Sequence, residues 1–579
     1  MYNKIESLLN QMLEYKYDAY IIPSTDEFLN EYVPSQNKRL LWITNFSGSN
    51  GIAIISRKKK ILFTDGRYLL QARKELPKNF EIIDISLVNF NDYLKENFKK
   101  KKILLDTKLF KIDFLDRLIF NLKAVNSSIT HDKVQIIDKL WVNRPVEEKY
   151  KIFQLSQKLS GCSTTKKISQ ILKIYSNMDF IIISSPESVC WLLNIRGKDL
   201  EHTPIVMSRM ILSKKEVKIF IDKSKIQNKL YSSYNNFSFY EIELFENHLG
   251  KIPKFSNVYI DHELSYFHFK LLNKKSRKLK IGIDHCKLLK SEKNSVEIKS
   301  AKKNHEFDAI SLINFFYWID NLDFKKKITE YEASKKLEYF RKQNNNFFSP
   351  SFPTISAVGS NGSIIHYEPR KKSKVMTLGN LYLCDSGGQY YGATTDVTRT
   401  VFLGKNPNKI IKSLYTLVLI GHLNISMLKF PIGTRGHQID SIARYPLWMK
   451  GLDYNHGTGH GVGSFLGVHE GPYNISKKFN KFPLKPGMIF SNEPGYYKNG
   501  KYGIRIENLI LVVKSKVSGF LEFDTLTLYP YEIDLIDKSM LTKLQIKWIN
   551  DYHAKIFKNL SPKIDKKTKF WLKLKTKKI

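Results

Sequence analysis

Two stretches of this 579-residue chain repeat one another in order and spacing. Asp18-Ala-Tyr-Ile-Ile-Pro-Ser is echoed by Asp179-Phe-Ile-Ile-Ile-Ser-Ser. Trp42-Ile-Thr-Asn45-Phe-Ser-Gly48 is echoed by Trp191-Leu-Leu-Asn194-Ile-Arg-Gly197, both with Trp-x-x-Asn-x-x-Gly spacing. Around the first copy, short apolar runs (Ala19 to Ile22, Ile52 to Ile55, Ile61 to Phe63) stand between Gly/Ser/Asn turns and helical stretches. Strands alternating with helices read as α/β organisation. The repeat therefore predicts two copies of one α/β domain, at 1–145 and 146–294, joined near Asn143-Arg144-Pro145. A prior of about 150 residues per domain leaves room for more. The remainder, 295–579, opens with a long helical pattern from Ser295 to Asp320 and becomes strand- and Gly-rich between Ser351 and Val513. It closes on a helix followed by a basic tail, Lys563 to Lys578.

Charge suggests a competing reading. The net charge is +39, which by itself points to nucleic acid or an anionic membrane. However, the 94 basic residues comprise only 15 Arg against 79 Lys. Phosphate recognition favours the planar Arg fork. The runs Arg57 to Lys60, Lys99 to Lys102 and Lys325 to Lys327 also lie far apart. The expectation is compositional drift on solvated faces, with no specific nucleic acid and no membrane as partner. At 42% hydrophobic residues the chain can build real cores, which excludes wholesale disorder. No apolar run approaches the ~20 residues of a bilayer span. The first twenty residues lack the apolar core of a signal peptide. Four scattered cysteines (Cys162, Cys190, Cys286, Cys384) without CxxC spacing argue against a disulfide framework and fit a reducing cytoplasm.

The unusual polar residues gather in the strand-rich region. Asp385-Ser-Gly-Gly-Gln-Tyr-Tyr-Gly-Ala-Thr-Thr-Asp396 lies between the apolar runs Leu381 to Leu383 and Val401 to Leu403, so two paired strands can bring its two aspartates together. Adjacent buried carboxylates repel, and need a cation, a shared proton or solvent; two ordinary turn aspartates are the bland alternative. His456-Gly-Thr-Gly-His460-Gly-Val-Gly-Ser-Phe-Leu-Gly-Val-His469 puts three of 14 histidines among closely spaced glycines, which let a backbone or ligand approach. A phosphate cradle is disfavoured, because no Lys-Ser/Thr follows in Walker spacing. Glu493 follows the apolar run Met488 to Phe490, and Glu507 precedes Leu509 to Val513. A carboxylate beside an apolar strand is costly unless paired. For Glu507 the bland partner is Arg505, two residues away on one strand face. Together the set offers four carboxylates and an imidazole, hard ligands suited to Mn²⁺ and able to hold Co²⁺ or Zn²⁺. Bridging carboxylates let five side chains hold two ions about 3.5–4 Å apart. Metal-assisted hydrolysis is the reaction class this implies.

These residues, in this order, resemble the pita-bread-fold dinuclear metallopeptidases. Asp396-Val-Thr-Arg-Thr400, His456 through Phe465, Val468-His-Glu-Gly-Pro472 and Asn492-Glu-Pro-Gly-Tyr-Tyr are similar to the long three-domain cytosolic Xaa-Pro aminopeptidases. The likeness extends to Ile364-Ile-His366-Tyr and Phe63-Thr-Asp-Gly-Arg67-Tyr, and so covers nearly the whole chain. It implies a fold of two creatinase-like α/β domains followed by a pita-bread catalytic domain of α+β type. It implies two Mn²⁺ per subunit, with Asp385, Asp396, His460, Glu493 and Glu507 as ligands. Asp385 and Asp396 serve one metal, His460 and Glu493 the other; Glu507 bridges, and Asp396 also reaches the second ion. It implies a metal-activated hydroxide attacking the bond before proline, with Glu493 as general base. His366, His456 and His469 would hold substrate and the tetrahedral intermediate or shuttle protons, and Arg67 would contribute to substrate binding. The substrates would be peptides with proline second, and the enzyme a homodimer in the cytoplasm. A prolidase-like dipeptidase is the rival enzyme reading. A non-catalytic peptide- or nucleic-acid-binding protein of the same fold is the rival outside catalysis.

Overall fold

The computed structural model describes residues 2–227, 237–274 and 277–579. They form two compact units: 1–155, 162–201 and 205–286 make one, and 156–161, 202–204 and 287–579 the other.

The first unit contains both copies of the repeat, and each copy builds the same six-stranded sheet. In the first, the strand order is Glu81–Asp84, Lys60–Thr64, Ile52–Ser56, Ala19–Pro23, Lys102–Leu105, Ser128–His131. In the second it is Phe237–Tyr240, Val217–Ile221, Ser208–Leu212, Phe180–Ile183, Asn257–Asp261, Lys278–Gly282. Reading across either sheet, the pairings run parallel, antiparallel, antiparallel, parallel, parallel. The duplication expected from sequence is therefore a duplication of topology.

The local cause of the Trp-x-x-Asn signature is visible. Helix Arg39–Thr44 ends on Asn45 with φ 66°, and helix Pro186–Leu193 ends on Asn194 with φ 52°. Asparagine tolerates this left-handed C-cap better than most residues with a Cβ. The continuous apolar runs have an equally direct cause. Tyr20, Ile22, Ala53, Ile55 and Leu62 pack on one face of the first sheet; Ala19, Ile21, Ile54, Ile61 and Phe63 pack on the other. A sheet covered on both faces needs apolar side chains at every position.

The second unit begins with helix Ser295–Asp320, whose start is fixed by a capping box between Asn294 and Glu297. Of the antiparallel sheets that follow, two build the site. A three-stranded sheet has Leu381–Ser386 between Ile355–Val358 and Val397–Phe402. A six-stranded sheet runs Lys429–Pro431, Phe520–Thr525, Asn508–Lys514, Ile489–Asn492, Gly459–Gly461, Glu470–Ile475. Helices Lys409–Ser426 and Gly436–Trp448 cover one face of the larger sheet through Ile425, Ile439, Phe490, Ile510 and Val512. Ala301 of the opening helix joins Val462, Ile489, Leu509 and Leu511 in a second cluster.

Two expectations from charge need correction. The basic tail is not a tail: Lys566–Lys575 is a helix capped by Asp565, with Trp571 and Leu572 buried. Trp571 Nε1 donates to Asp320 at 2.9 Å, and Lys575 pairs with Asp320 at 3.0 Å and Glu532 at 3.2 Å. The density of lysines masked an amphipathic segment. Nor do all lysines lie on solvated faces. Lys225 is buried against Asp199 at 2.9 Å and Glu147 at 2.6 Å. Lys290 and Lys293 are buried on either side of Glu470, Lys290 at 2.8 Å.

Candidate metal centre

The site forms where the ends of the three-stranded sheet around Leu381–Ser386 and the six-stranded sheet of the second unit meet. Asp385 lies in strand Leu381–Ser386 opposite Thr398, and Asp396 immediately precedes the partner strand, so the hairpin brings them together. Asn492 pairs with Asn508, which sets Glu493 and Glu507 at neighbouring strand ends. The sheets are stitched at this point. The Glu507 N–H donates to the Thr398 carbonyl at 3.1 Å, and Thr398 Oγ1 donates to Glu507 Oε2 at 2.8 Å.

His460 enters on strand Gly459–Gly461, and its flanking glycines explain the spacing in the sequence. A Cβ on Gly459 would stand 2.0 Å from the Ser491 carbonyl oxygen, and one on Gly461 2.4 Å from that of Glu470. Neither contact is possible for a larger residue, so the strand can press between its neighbours only as glycine. His460 Nε2 then lies 3.6 Å from Asp396 Oδ2 and 3.4 Å from Glu493 Oε1. Ligating atoms of Asp396, His460 and Glu507 all fall within 4.8 Å of one another.

The electrostatics follow from this crowding. Burial, then repulsion from Glu507, Asp385 and Glu493, pushes the Asp396 carboxyl well above the usual carboxylate range. Burial, with Glu493 and Asp385 beside it, does the same to Glu507. Burial raises Glu493 too, against the pull of Arg505. Arg505 donates to Asp385 Oδ2 at 2.6 Å, while Asp385 Oδ1 is buried with no hydrogen-bond partner. An orphaned carboxylate oxygen among mutually repelling carboxylates and one imidazole is a donor set that fits hard divalent cations.

The other residues anticipated from sequence fall as follows. His469 stacks edge-on against His460, ring centroids 4.5 Å apart. His456 Nε2 is 2.8 Å from the Tyr497 hydroxyl, which accepts from Arg505 Nη1 at 2.7 Å. A hydrogen-bonded chain thus runs His456, Tyr497, Arg505, Asp385. His366 is partly buried in the turn after Ile364. Arg67 belongs to the first unit, where it holds Asp65 with two hydrogen bonds of 2.9 and 2.8 Å.

The bland alternative for Glu507, an ion pair with Arg505, is not formed: Arg505 pairs with Asp385 instead. Strand Tyr502–Arg505 ends at Arg505 and the next strand, Asn508–Lys514, starts at Asn508, so the two residues share no strand face. Sequence reading also passed over Tyr497 and Thr398. Each carries a signal only in hindsight, Tyr497 in Asn492 to Tyr497 and Thr398 in Asp396 to Thr400.

Comparison with known proteins adds to this geometry. Models of the creatinase/prolidase N-terminal domain match residues 4–137 and 143–297. The model of metallopeptidase family M24 matches 300–514, and that of its C-terminal region 519–579. Xaa-Pro aminopeptidase 1 of Dictyostelium discoideum is 38% identical over 98% of this chain and 95% of its own length. The chain belongs to the Xaa-Pro aminopeptidases of metallopeptidase family M24.

Other members of the group agree in extent. A probable Xaa-Pro aminopeptidase P of Laccaria bicolor is 35% identical over 98% of this chain and 92% of its own. The crystal structure of X-prolyl aminopeptidase from Caenorhabditis elegans, described as a cytosolic enzyme with a di-nuclear active site, superposes with a TM-score of 0.95 at 30% identity. It covers 100% of this chain and 99% of the other. The Xaa-Pro dipeptidase of Bacillus anthracis covers only 64% of this chain, at 23% identity and a TM-score of 0.53, and shares the fold alone. The two creatinase-like domains and the family catalytic domain expected from sequence are therefore present.

Proposed function

We propose that the protein is a metal-dependent aminopeptidase that hydrolyses the bond between an N-terminal residue and a following proline. The observation that carries this reading is the convergence of Asp385, Asp396, His460, Glu493 and Glu507 at one sheet junction, in a chain similar to Xaa-Pro aminopeptidases over its full length. Asp385 and Asp396 would hold one divalent ion, His460 and Glu493 a second, with Glu507 between them and Asp396 reaching both. Mn²⁺ is the assigned metal on the oxygen-rich donor set, with Co²⁺ and Zn²⁺ as competent substitutes. Such ions, when bound, polarise a carbonyl and lower the pKa of water.

The chain's own groups do the rest. Glu493 takes the proton given up by the attacking water. The acidic cluster receives the substrate's ammonium. His366, His456 and His469 hold the substrate carbonyl and the developing oxyanion. For His456 the chain through Tyr497 and Arg505 to Asp385 supports an additional part in moving or orienting a proton. Proline gives a tertiary amide with no N–H, so a site that ignores that N–H and grips the free amine suits this substrate. The substrate contact assigned to Arg67 rests on the resemblance of Phe63 to Tyr68 alone.

The manganese-loaded protein is expected to release arginine from Arg-Pro-Pro and to leave Gly-Pro essentially uncut. Cleavage of the dipeptide alone would make it a prolidase. Inertness on both, with tight salt-sensitive binding of DNA or RNA, would favour the binding-protein reading.

We further propose a homodimer in the cytosol. Four free cysteines and the cytosolic relative in C. elegans support the compartment. Among the described residues, no helix is long and apolar enough to cross a membrane. Sedimentation of a monomer at micromolar concentration would overturn the dimer.

A further inference from the structure

The segment that carries His366 is held by a residue outside every motif described above. Glu330 is the first residue of helix Glu330–Lys342 and is fully buried, 0% exposed. Its Oε1 accepts from the Val358 N–H at 2.7 Å and from Asn361 Nδ2 at 3.1 Å. Its Oε2 accepts from the Tyr367 hydroxyl at 2.6 Å, from Asn361 Nδ2 at 3.0 Å and from the Lys374 N–H at 3.1 Å. Asn361 Nδ2 also lies 3.0 Å from the Tyr367 hydroxyl, which closes the network. The Glu330 N–H donates in turn to the Lys374 carbonyl at 2.9 Å. The start, middle and end of the segment 358–374 are thus fastened to one carboxylate.

These donors are backbone amides, a side-chain amide and a phenol. Stability alone rarely favours an uncompensated carboxylate in such a place, because desolvating the charge is costly and neutral donors only partly offset it. Burial raises the Glu330 carboxyl, opposed by its hydrogen-bond donors. What the charge provides is an acceptor on every side. An isosteric glutamine cannot replace it: either amide orientation points an NH₂ at a backbone N–H, that of Val358 or that of Lys374, leaving buried donors facing one another.

The segment has a second attachment. The Ile365 carbonyl lies 3.5 Å from Arg505 Nη2, the same nitrogen that holds Asp385. His366 is the residue between these two attachments, Ile365 toward the carboxylate cluster and Tyr367 toward Glu330. We infer that Glu330 is the positioning residue for His366, fixing the imidazole against the site through the 358–374 segment. The inference builds on the proposed aminopeptidase reading and on the part given there to His366.

A double-mutant cycle tests it on the full-length, manganese-loaded protein with Arg-Pro-Pro as substrate. His366→Ala is expected to lower kcat on the order of 10²-fold. Glu330→Gln is expected to lower kcat about 10-fold through a misplaced imidazole, with KM changed far less. The double variant should be no slower than His366→Ala. A full multiplicative loss in the double variant would show that Glu330 acts through the general fabric of the domain, and would overturn the inference. Should Glu330→Gln fail to fold, Tyr367→Phe removes one donor and carries the same cycle with a smaller single loss. Amide hydrogen exchange provides a readout independent of turnover: Glu330→Gln should accelerate exchange across 359–374 while the six-stranded sheet stays protected. Unchanged exchange there overturns the anchor even if the protein proves to have another substrate. Inert wild type with accelerated exchange would instead sink the functional reading and leave the anchor standing.

Discussion

Asp396→Asn is expected to reduce kcat/KM for an Xaa-Pro peptide on the order of 10³-fold or more, while making the metal-free protein more stable. Both effects come from one geometry. Asp396 sits among Glu507, Asp385 and Glu493, and its Oδ2 is 3.6 Å from His460 Nε2. With a cation bound, that crowding would supply the proposed ligands; without one it is repulsion. The sign of the pH dependence follows. A carboxyl whose folded pKa is raised favours the folded state most below its unfolded value, near 4, and loses that contribution as pH rises through the folded value. Wild-type protein stripped by chelation should therefore weaken as pH rises above the unfolded carboxyl value and through about 7, where Glu493 lies, and Asp396→Asn should weaken less over the same rise. Manganese should raise the melting temperature of wild type strongly and that of the variant little. A variant that keeps both activity and manganese stabilisation would remove Asp396 from the metal site. A metal-free wild type that is most stable at pH 8 would contradict the electrostatic account.

The largest stability loss is expected far from any solvent. Glu470 lies buried between Lys290, 2.8 Å away, and Lys293, all three about 1% exposed. Glu470→Ala would take from Lys290 and Lys293 the carboxylate that both pair with in a low-dielectric interior, a change worth about 3–5 kcal/mol. It would also free the segment before Asn294 from the strand Glu470–Ile475 that follows His469 directly. Urea unfolding should show an earlier midpoint for the transition of the catalytic unit. Adding Lys293→Met to Glu470→Ala should recover part of the loss, because one buried charge that had relied on Glu470 is gone. A shift below 1 kcal/mol for the single variant would mean that water reaches the pair.

Much of this was legible in the chain, and the failures have physical reasons. The duplication could be read because a left-handed cap forces asparagine into register in both copies, and because a sheet covered on both faces writes its strands as unbroken apolar runs. The polar cluster at the sheet junction could be read because Gly459 and Gly461 admit no substitute, and because carboxylates beside apolar strands demand a partner; its role as a ligand set is a proposal. The bland pairing of Arg505 with Glu507 could not be dismissed from sequence because residue spacing cannot show that a strand stops. The true partner of Arg505, Asp385, is 120 residues away. Glu330 was invisible for the same reason: all its side-chain partners come from a segment 28 to 44 residues downstream, and nothing local marks the contact. The C-terminal helix hid behind its lysines, since a charge count does not register that Trp571 and Leu572 turn inward.

The twin sheets of the first unit bear on how the protein reaches its native state. Their strand orders and pairing directions match strand for strand. In each, the central strand must wait for a parallel neighbour supplied about 80 residues later, Lys102–Leu105 for Ala19–Pro23 and Asn257–Asp261 for Phe180–Ile183. During that interval an unpaired edge of one copy presents the ladder that a strand of the other is built to complete, the misassembly to which tandem domains are prone. Synthesis from the N-terminus offers a remedy that dilution from denaturant does not: the first copy can close before the second leaves the ribosome.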